Sequence, residues 1–262
     1  MTRVAGILCL CAAVWPLGRG AAADRERPSA ADGRPAILVY HRFEPVVADS
    51  MAVRTSTFAA QLRYLADHQY RVVPLRTVVT ALARHELLPS RAVVITVDDG
   101  HRTVYTEMLP LVRQYKIPIT LFIYPSAISN ASYAMTWGQL DELRRTGLFD
   151  IQSHTYWHPN FKIERRRLAP SAFDTFVTTQ LVKPKTVLKA KLGVDADMLA
   201  WPFGIYDDDL IARARAAGYV AAFTLGARLV APGDPALALP RFLMNDGVSD
   251  RRFAALLPPA NR

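Results

Sequence analysis

Seven short apolar runs with helical patterns between them set the strongest limit on what this chain can fold into. They fall at residues 36–40, 92–97, 119–124, 149–153, 198–201, 219–224 and 239–244. Runs such as Ala36-Ile37-Leu38-Val39-Tyr40 and Ala92-Val93-Val94-Ile95-Thr96-Val97 lack polar alternation, as expected of strands buried on both faces. Phe58, Leu62 and Leu65 recur at helical spacing, and Phe173, Phe176, Val177 and Leu181 share one helical face. Patterns over residues 137–145 and 209–217 close at Gly147 and Gly218 as helices do. The alternation specifies a single α/β domain, a (β/α) barrel of about seven parallel strands, rather than a small doubly wound sheet. In such a barrel the carboxyl ends of the strands gather at one face, where sites are built from residues far apart in sequence.

The chain has 262 residues. Residues 1–23 read as a signal peptide: Arg3 is followed by an uncharged apolar stretch, and Ala21-Ala22-Ala23 forms a cleavage site. Export to the periplasm or outside the cell is the corresponding expectation. Residues 24–35 read as a flexible leader and 36–262 as the catalytic domain. Cys9 and Cys11 are the only cysteines and both lie in the signal segment, so the mature chain lacks disulfides, thiol nucleophiles and thiolate metal sites. The formal charge of +9 falls to +7 without Arg3 and Arg19. A basic surface fits peripheral contact with an anionic cell envelope. No nucleic-acid motif accompanies it, and Arg165-Arg166-Arg167 reads as a solvated helix face or loop.

The polar residues that end the apolar runs carry the chemistry. Asp98 and Asp99 end one strand, and His154 and His158 follow another. One carboxylate and two imidazoles are a common ligand set for a catalytic divalent metal, and a second carboxylate is then free to act as a base. Adjacent acids on a strand diverge unless the backbone turns, and Gly100 permits a turn. Pro159 disfavours a helix at His158 and favours a tight loop that carries both imidazoles. Taken alone, Asp-Asp-Gly equally fits a turn with a helix cap, and the histidines fit one core and one surface position. His41 ends the first strand, where it suits proton donation, substrate orientation or plain backbone bonding. Trp201-Pro202-Phe203-Gly204 fits an apolar rim for a sugar ring or core packing equally well.

Thr96-Val97-Asp98-Asp99-Gly100 resembles the first motif of the polysaccharide deacetylases, the NodB-homology family of carbohydrate esterases. Ser153-His154-Thr155-Tyr156-Trp157-His158 resembles the second motif, and Trp201 to Gly204 the third. Tyr40-His41, residues 58–75 and Leu239-Pro240-Arg241-Phe242 are similar to the branch acting on poly-β-1,6-N-acetylglucosamine. The family resemblance implies a distorted (β/α) barrel that removes N- or O-acetyl groups from polysaccharides, with Asp98 as base and Asp99, His154 and His158 as metal ligands. The likeness to the branch implies N-acetyl groups of an N-acetylglucosamine polysaccharide. The metal expected is zinc, with cobalt, nickel or manganese able to substitute. Substrate contacts are expected at Tyr40, Trp201, Pro202, Phe203 and Arg241. Two departures stand out. The arginine that holds the base in many members is replaced by Trp201 in the third motif, and no histidine follows His158 to serve as the late general acid. His41 is the candidate acid in its place.

The partner expected is a polysaccharide, with no nucleic acid and no oligomeric state specified. Other readings are deacetylation of peptidoglycan, chitin oligomers or acetyl-xylan, a catalytically silent carbohydrate-binding protein, a small-molecule amidohydrolase and an iron oxygenase using the same three ligands.

Overall fold

The computed structural model describes residues 1–2, 33–87 and 90–259; the expected signal segment and most of the leader lie outside the described residues. The chain runs β1 (Ala36–Tyr40), β2 (Arg42–Glu44), β3 (Ala52–Arg54), α1 (Thr55–Asp67), β4 (Arg71–Val72), α2 (Leu75–Ala83) and β5 (Ala92–Asp99). A π-helical turn at Val104–Met108 leads into α3 (Leu109–Tyr115), then β6 (Ile119–Ile123), α4 (Trp137–Arg145), β7 (Phe149–Ser153), α5 (Phe161–Arg167) and α6 (Pro170–Leu192). The rest comprises β8 (Met198–Ala200), α7 (Asp208–Ala216), β9 (Ala221–Phe223), β10 (Phe242–Leu243) and α8 (Asp250–Leu256). Among the described residues, no helix is long and apolar enough to cross a membrane.

The main sheet has the order β10-β1-β5-β6-β7-β8-β9, all parallel, with the two-residue β4 added beside β5. The seven expected runs are the seven strands of this path. Leu239, just before β10, forms a parallel bridge to Phe223 in β9, so the segment that ends on β1 also touches the far edge and curls the sheet. The short parallel pair β2-β3 and the strand β4 were not among the expected elements. They have too few residues to carry a periodic signal.

Side-chain alternation sorts each strand into an inner and an outer layer. Leu38, Ile95, Leu121 and Ile151 join the cluster under α1, α3 and α4. Ile37, Val94, Phe122, Met198, Ala200, Ala221 and Phe223 form a second cluster with α2, and the Phe122 and Phe223 rings meet at 5.4 Å. A third cluster packs Leu199, Trp201 and Ala222 against α5, α6 and α7. The inner parity therefore begins on an apolar floor. Continued up the strands, the same parity reaches His41, Asp98 and His154, each two-residue step from an inner position (37, 39, 41; 94, 96, 98; 150, 152, 154).

Tyr40 has the outer parity. It is 1% exposed, packs against Phe43 and Phe58, and donates from its hydroxyl to Gln61 Oε1 at 2.8 Å. The expectation of a substrate contact there gives way: the ring is part of the core and presents no surface to a ligand. Tyr40→Phe should lower stability by about 1–3 kcal/mol in urea denaturation, because it leaves the Gln61 oxygen buried without its donor. An unchanged midpoint would count against that bond.

Candidate active site

A cavity of about 500 Å³ opens at the carboxyl ends of the strands. Its polar wall is His41, Asp98, Asp99, His154 and His158, and Arg42 and Tyr124 stand beside them. Trp201, Phe203, Met51, Leu225 and Leu243 make the apolar wall.

The two acids reach the cavity by different means. Asp98 follows the inward parity of β5. Asp99 would point outward, but its φ of +74° turns it back, and Gly100 continues the turn at φ +80°. A Cβ on Gly100 would lie 3.1 Å from Ile123 Cγ2 and Ile128 Cδ1, so the turn packs as tightly as glycine allows. The histidine loop is shaped the same way, with Thr155 at φ +65° and His158 at φ +62°. It is pinned from three sides. His154 N–H donates to Ile123 O at 2.8 Å, Ser126 N–H donates to Tyr156 O at 3.1 Å, and Trp157 N–H donates to the buried Gln180 Oε1 at 3.1 Å. The tight loop expected after β7 is thus observed.

His154 Nδ1 lies 2.8 Å from the Ala200 carbonyl oxygen, which can only accept, so Nδ1 carries the proton. Its Nε2 lone pair then faces the acids, 3.6 Å from Asp99 Oδ1 and 3.8 Å from Asp98 Oδ2. His158 Nε2 is 3.7 Å from the same Asp99 oxygen. Asp99 Oδ1 is buried and has no hydrogen-bond partner among the described residues. One ligand atom from each of Asp99, His154 and His158 lies within 4.8 Å of the others. A buried carboxylate oxygen without a donor, facing two imidazole nitrogens, is a donor set that fits a divalent cation.

Burial lowers the His154 pKa to about 3 despite the opposing pull of Asp98, and also lowers that of His158, so both rings are neutral at neutral pH. Burial raises the pKa of Asp99, against the pull of His41. His41 is lowered by burial, with Asp98 and Asp99 acting against the shift, and its Nδ1 has no partner among the described residues.

Arg241 is 0% exposed and turned toward Asp98, which corrects the expectation of a substrate contact. Its guanidinium donates to Asp98 Oδ1 at 2.8 Å and Oδ2 at 2.7 Å, to Thr96 Oγ1 at 3.1 Å and to Thr224 O at 3.2 Å. Burial works against ionisation of Asp98, but the charge and hydrogen bonds of Arg241, together with the pull of His154 and His41, outweigh it and hold the pKa at about 2. The arginine missing from the third motif is therefore supplied by the last strand segment. A signal was present in the sequence: an arginine inside the apolar run Leu239 to Met244 is costly unless a buried acid pairs with it.

The Trp201 to Gly204 segment divides. Trp201 is 1% exposed, walls the cavity and donates from Nε1 to Leu237 O at 2.9 Å. Pro202 is buried and does not line the cavity, which corrects that contact too. Phe203, at φ +57°, is 56% exposed and sets its ring 4.6 Å from that of His158. Arg42, Met51 and Tyr124 were not anticipated, because nothing in their local pattern distinguishes them. Outside the site, His68 and His85 are exposed, as is Arg165-Arg166-Arg167 at the end of α5.

A parallel α/β barrel that gathers an ionised carboxylate and a carboxylate–imidazole cluster at its strand ends belongs to the barrel enzymes whose sites sit at that face. The sequence matches the polysaccharide deacetylase model over residues 86–222, and the chain belongs to that family. It is 25% identical over 199 residues to a poly-β-1,6-N-acetyl-D-glucosamine N-deacetylase of Staphylococcus aureus (strain MRSA252), covering 74% of this chain and 68% of the relative. The structure of IcaB from Ammonifex degensii superposes with a TM-score of 0.76 at 28% identity, covering 86% of this chain and 97% of that one. The Streptococcus pyogenes deacetylase PplD, solved in complex with acetate, has the same fold, with a TM-score of 0.76 at 23% identity over 86% of this chain and 99% of its own.

Arg241→Met should destabilise the protein by roughly 3–5 kcal/mol, since it strands a buried carboxylate. Adding Asp98→Asn should recover part of that loss in a double-mutant cycle by urea denaturation. The pH dependence follows the same pair. Asp98 sits lower in the folded protein, about 2, than its ordinary 3.8. Its contribution is therefore complete above pH 3.8 and is lost as pH falls toward 2. The Asp98→Asn variant should show a shallower loss of stability across that window.

Proposed function

We propose that this protein is a metal-dependent N-deacetylase of an N-acetylglucosamine polymer, with a β-1,6-linked chain as the preferred substrate. The observation that carries the reading is the unpartnered, buried Asp99 Oδ1 facing two neutral imidazoles, with an independently ionised Asp98 beside them. Family membership supports deacetylation, and the names of the staphylococcal relatives support the polymer. Export, to the periplasm or outside the cell, belongs to the same proposal, since such a polymer is an envelope or extracellular material.

Asp99, His154 and His158 would hold the metal, with zinc the first choice and cobalt, nickel or manganese alternatives. A divalent ion there would polarise the acetyl carbonyl and make the attacking water more acidic. Asp98 accepts the proton of that water. With a pKa near 2 it is a weak base, always ionised at neutral pH, so its service depends on how acidic the water has become. Arg241 donates to both oxygens of Asp98 and fixes the orientation of the carboxylate beside Asp99, His154 and His158. His41, buried on the same polar wall with an Nδ1 that has no partner among the described residues, would in its protonated form pass a proton to the departing sugar amine. Phe203 and Trp201 exclude water from one side of the cavity and give the sugar an apolar wall.

Acetate release from β-1,6-linked and β-1,4-linked N-acetylglucosamine oligomers and from acetyl-xylan tests the assignment, with defined metals returned to the metal-free protein. Faster turnover of acetyl-xylan than of either amide substrate would overturn it. Asp98→Asn should retain metal and lose about 10²–10⁴-fold in kcat. Asp99→Asn and His158→Ala should lose metal affinity, read by titration. If Asp98→Asn keeps full activity, the proposed base is wrong.

A further inference from the structure

An aromatic ledge adjoins the cavity on the side of the Asp99–Gly100 turn and stands outside the motifs considered so far. Tyr133 is 40% exposed, yet its ring touches two neighbours and its backbone is held as well. Its plane lies within 10° of the His101 ring, with centroids 6.1 Å apart. Its hydroxyl is 2.5 Å from the hydroxyl of Tyr124. Its carbonyl accepts from Arg102 N–H at 2.8 Å, and the next residue, Ala134, forms an antiparallel bridge to His101. His101 is itself held through Nδ1 by Thr103 Oγ1 at 2.9 Å, and that hydroxyl oxygen also accepts from Phe43 N–H.

The ledge is continuous with the site. Tyr124, which shares the hydroxyl contact, lines the cavity and has its ring 5.4 Å from that of His158. An exposed aromatic gains little from burial, and solvent would normally leave it free to change rotamer. Here the His101 ring and the Tyr124 hydroxyl restrain it while it stays 40% exposed. A ring ordered in advance lowers the entropy lost when a flat, partly apolar ligand docks. A pyranose ring has that character: an axial C–H face and a rim of hydroxyls.

We infer that Tyr133, backed by His101, is the platform for a second pyranose ring of the same polymer, next to the sugar whose acetyl group enters the cavity. This rests on the deacetylase reading above. It assigns to the ledge the selection of polymer over single sugars, while leaving the reacting groups untouched.

The experiment compares kcat/KM for a small synthetic acetyl ester, the monosaccharide N-acetylglucosamine and its β-1,6-linked pentamer. The wild-type protein should gain efficiency with chain length. Tyr133→Ala should raise KM for the pentamer by roughly 3–10-fold, the worth of one aromatic contact, with the ester and monosaccharide unaffected. Tyr133→Phe keeps the ring face and should stay close to the wild type. The inference is overturned if Tyr133→Ala retains the whole chain-length gain, if it impairs the ester equally, or if Tyr133→Phe behaves like Tyr133→Ala. Acetate release from glycans with an intact chain-length gain in Tyr133→Ala removes the platform alone. No acetate from any glycan with the wild-type protein removes the functional reading and the platform together.

Discussion

The buried pair between Asp98 and Arg241 is the interaction on which the rest of the site depends. The two residues are 143 positions apart, one on β5 and the other just ahead of β10. Both are within 2% of complete burial. A pair so enclosed costs several kcal/mol per ion in lost hydration, repaid only where geometry and further hydrogen bonds are good. Here the guanidinium is bidentate on the carboxylate, and its other donors reach Thr96 and Thr224. Thr96 in turn donates to Leu38 O in β1, and Thr224 N–H donates to Leu239 O, so one guanidinium is tied to β5, to β1 through Thr96, and to the segment after β9. Closure of the curled sheet and the charge state of Asp98 are therefore set by the same contact.

Backbone conformation supplies what strand alternation cannot. Inward parity delivers His41, Asp98 and His154 without strain. Asp99, His158 and Phe203 reach the cavity only because they occupy the left-handed region. Such positions cost of order 1–3 kcal/mol for non-glycine residues and persist only when surrounding structure enforces them. The enforcement is visible around each. Gly100 packs between Ile123 and Ile128, Thr155 Oγ1 accepts from His158 N–H, and Gly204, which follows Phe203, sits against Leu225 with no room for a Cβ. Left-handed non-glycine residues also occur away from the cavity, at Gln69, His85, Arg91, Lys116 and Ser129, but Asp99, His158 and Phe203 are the ones whose turns complete the site.

This division also explains what was legible in the sequence. The strands could be read because they are long apolar runs buried on both faces, and the polar residues at their ends could be placed at one face by the barrel rule alone. Asp99 beside Gly100 and His158 before Pro159 gave away their turns through the neighbouring residue. Tyr40 and Arg241 were misplaced for a common reason. Each is an amphipathic residue in an apolar run, and its partner, Gln61 in one case and Asp98 in the other, lies on a different element. Local pattern can show that such a residue needs a partner but not which one. Arg42, Tyr124 and Tyr133 were invisible for the opposite reason: Arg42 opens the three-residue β2, Tyr124 directly follows β6 and Tyr133 lies between β6 and α4, where position comes from tertiary contacts and no periodicity marks a role.

Two carboxylates in one cavity would ordinarily compete for a proton, each raising the pKa of the other. The protein separates them by giving each a different neighbour. Asp98 faces a permanent cation that it cannot lose, so it is ionised whatever else binds. Asp99 faces the imidazoles of His154 and His158, and burial, helped by its neighbouring carboxylate, pushes its pKa up against the pull of His41, Arg42 and Arg241, so a cation held there would favour its charged form. Arg241 thus does more than hold the proposed base. By pairing with Asp98 it gives the two acids separate environments, which is what the proposed division of labour requires: Asp99 to hold a metal and Asp98 to accept a proton. Without the arginine the two buried carboxylates would face each other with no fixed cation to tell them apart.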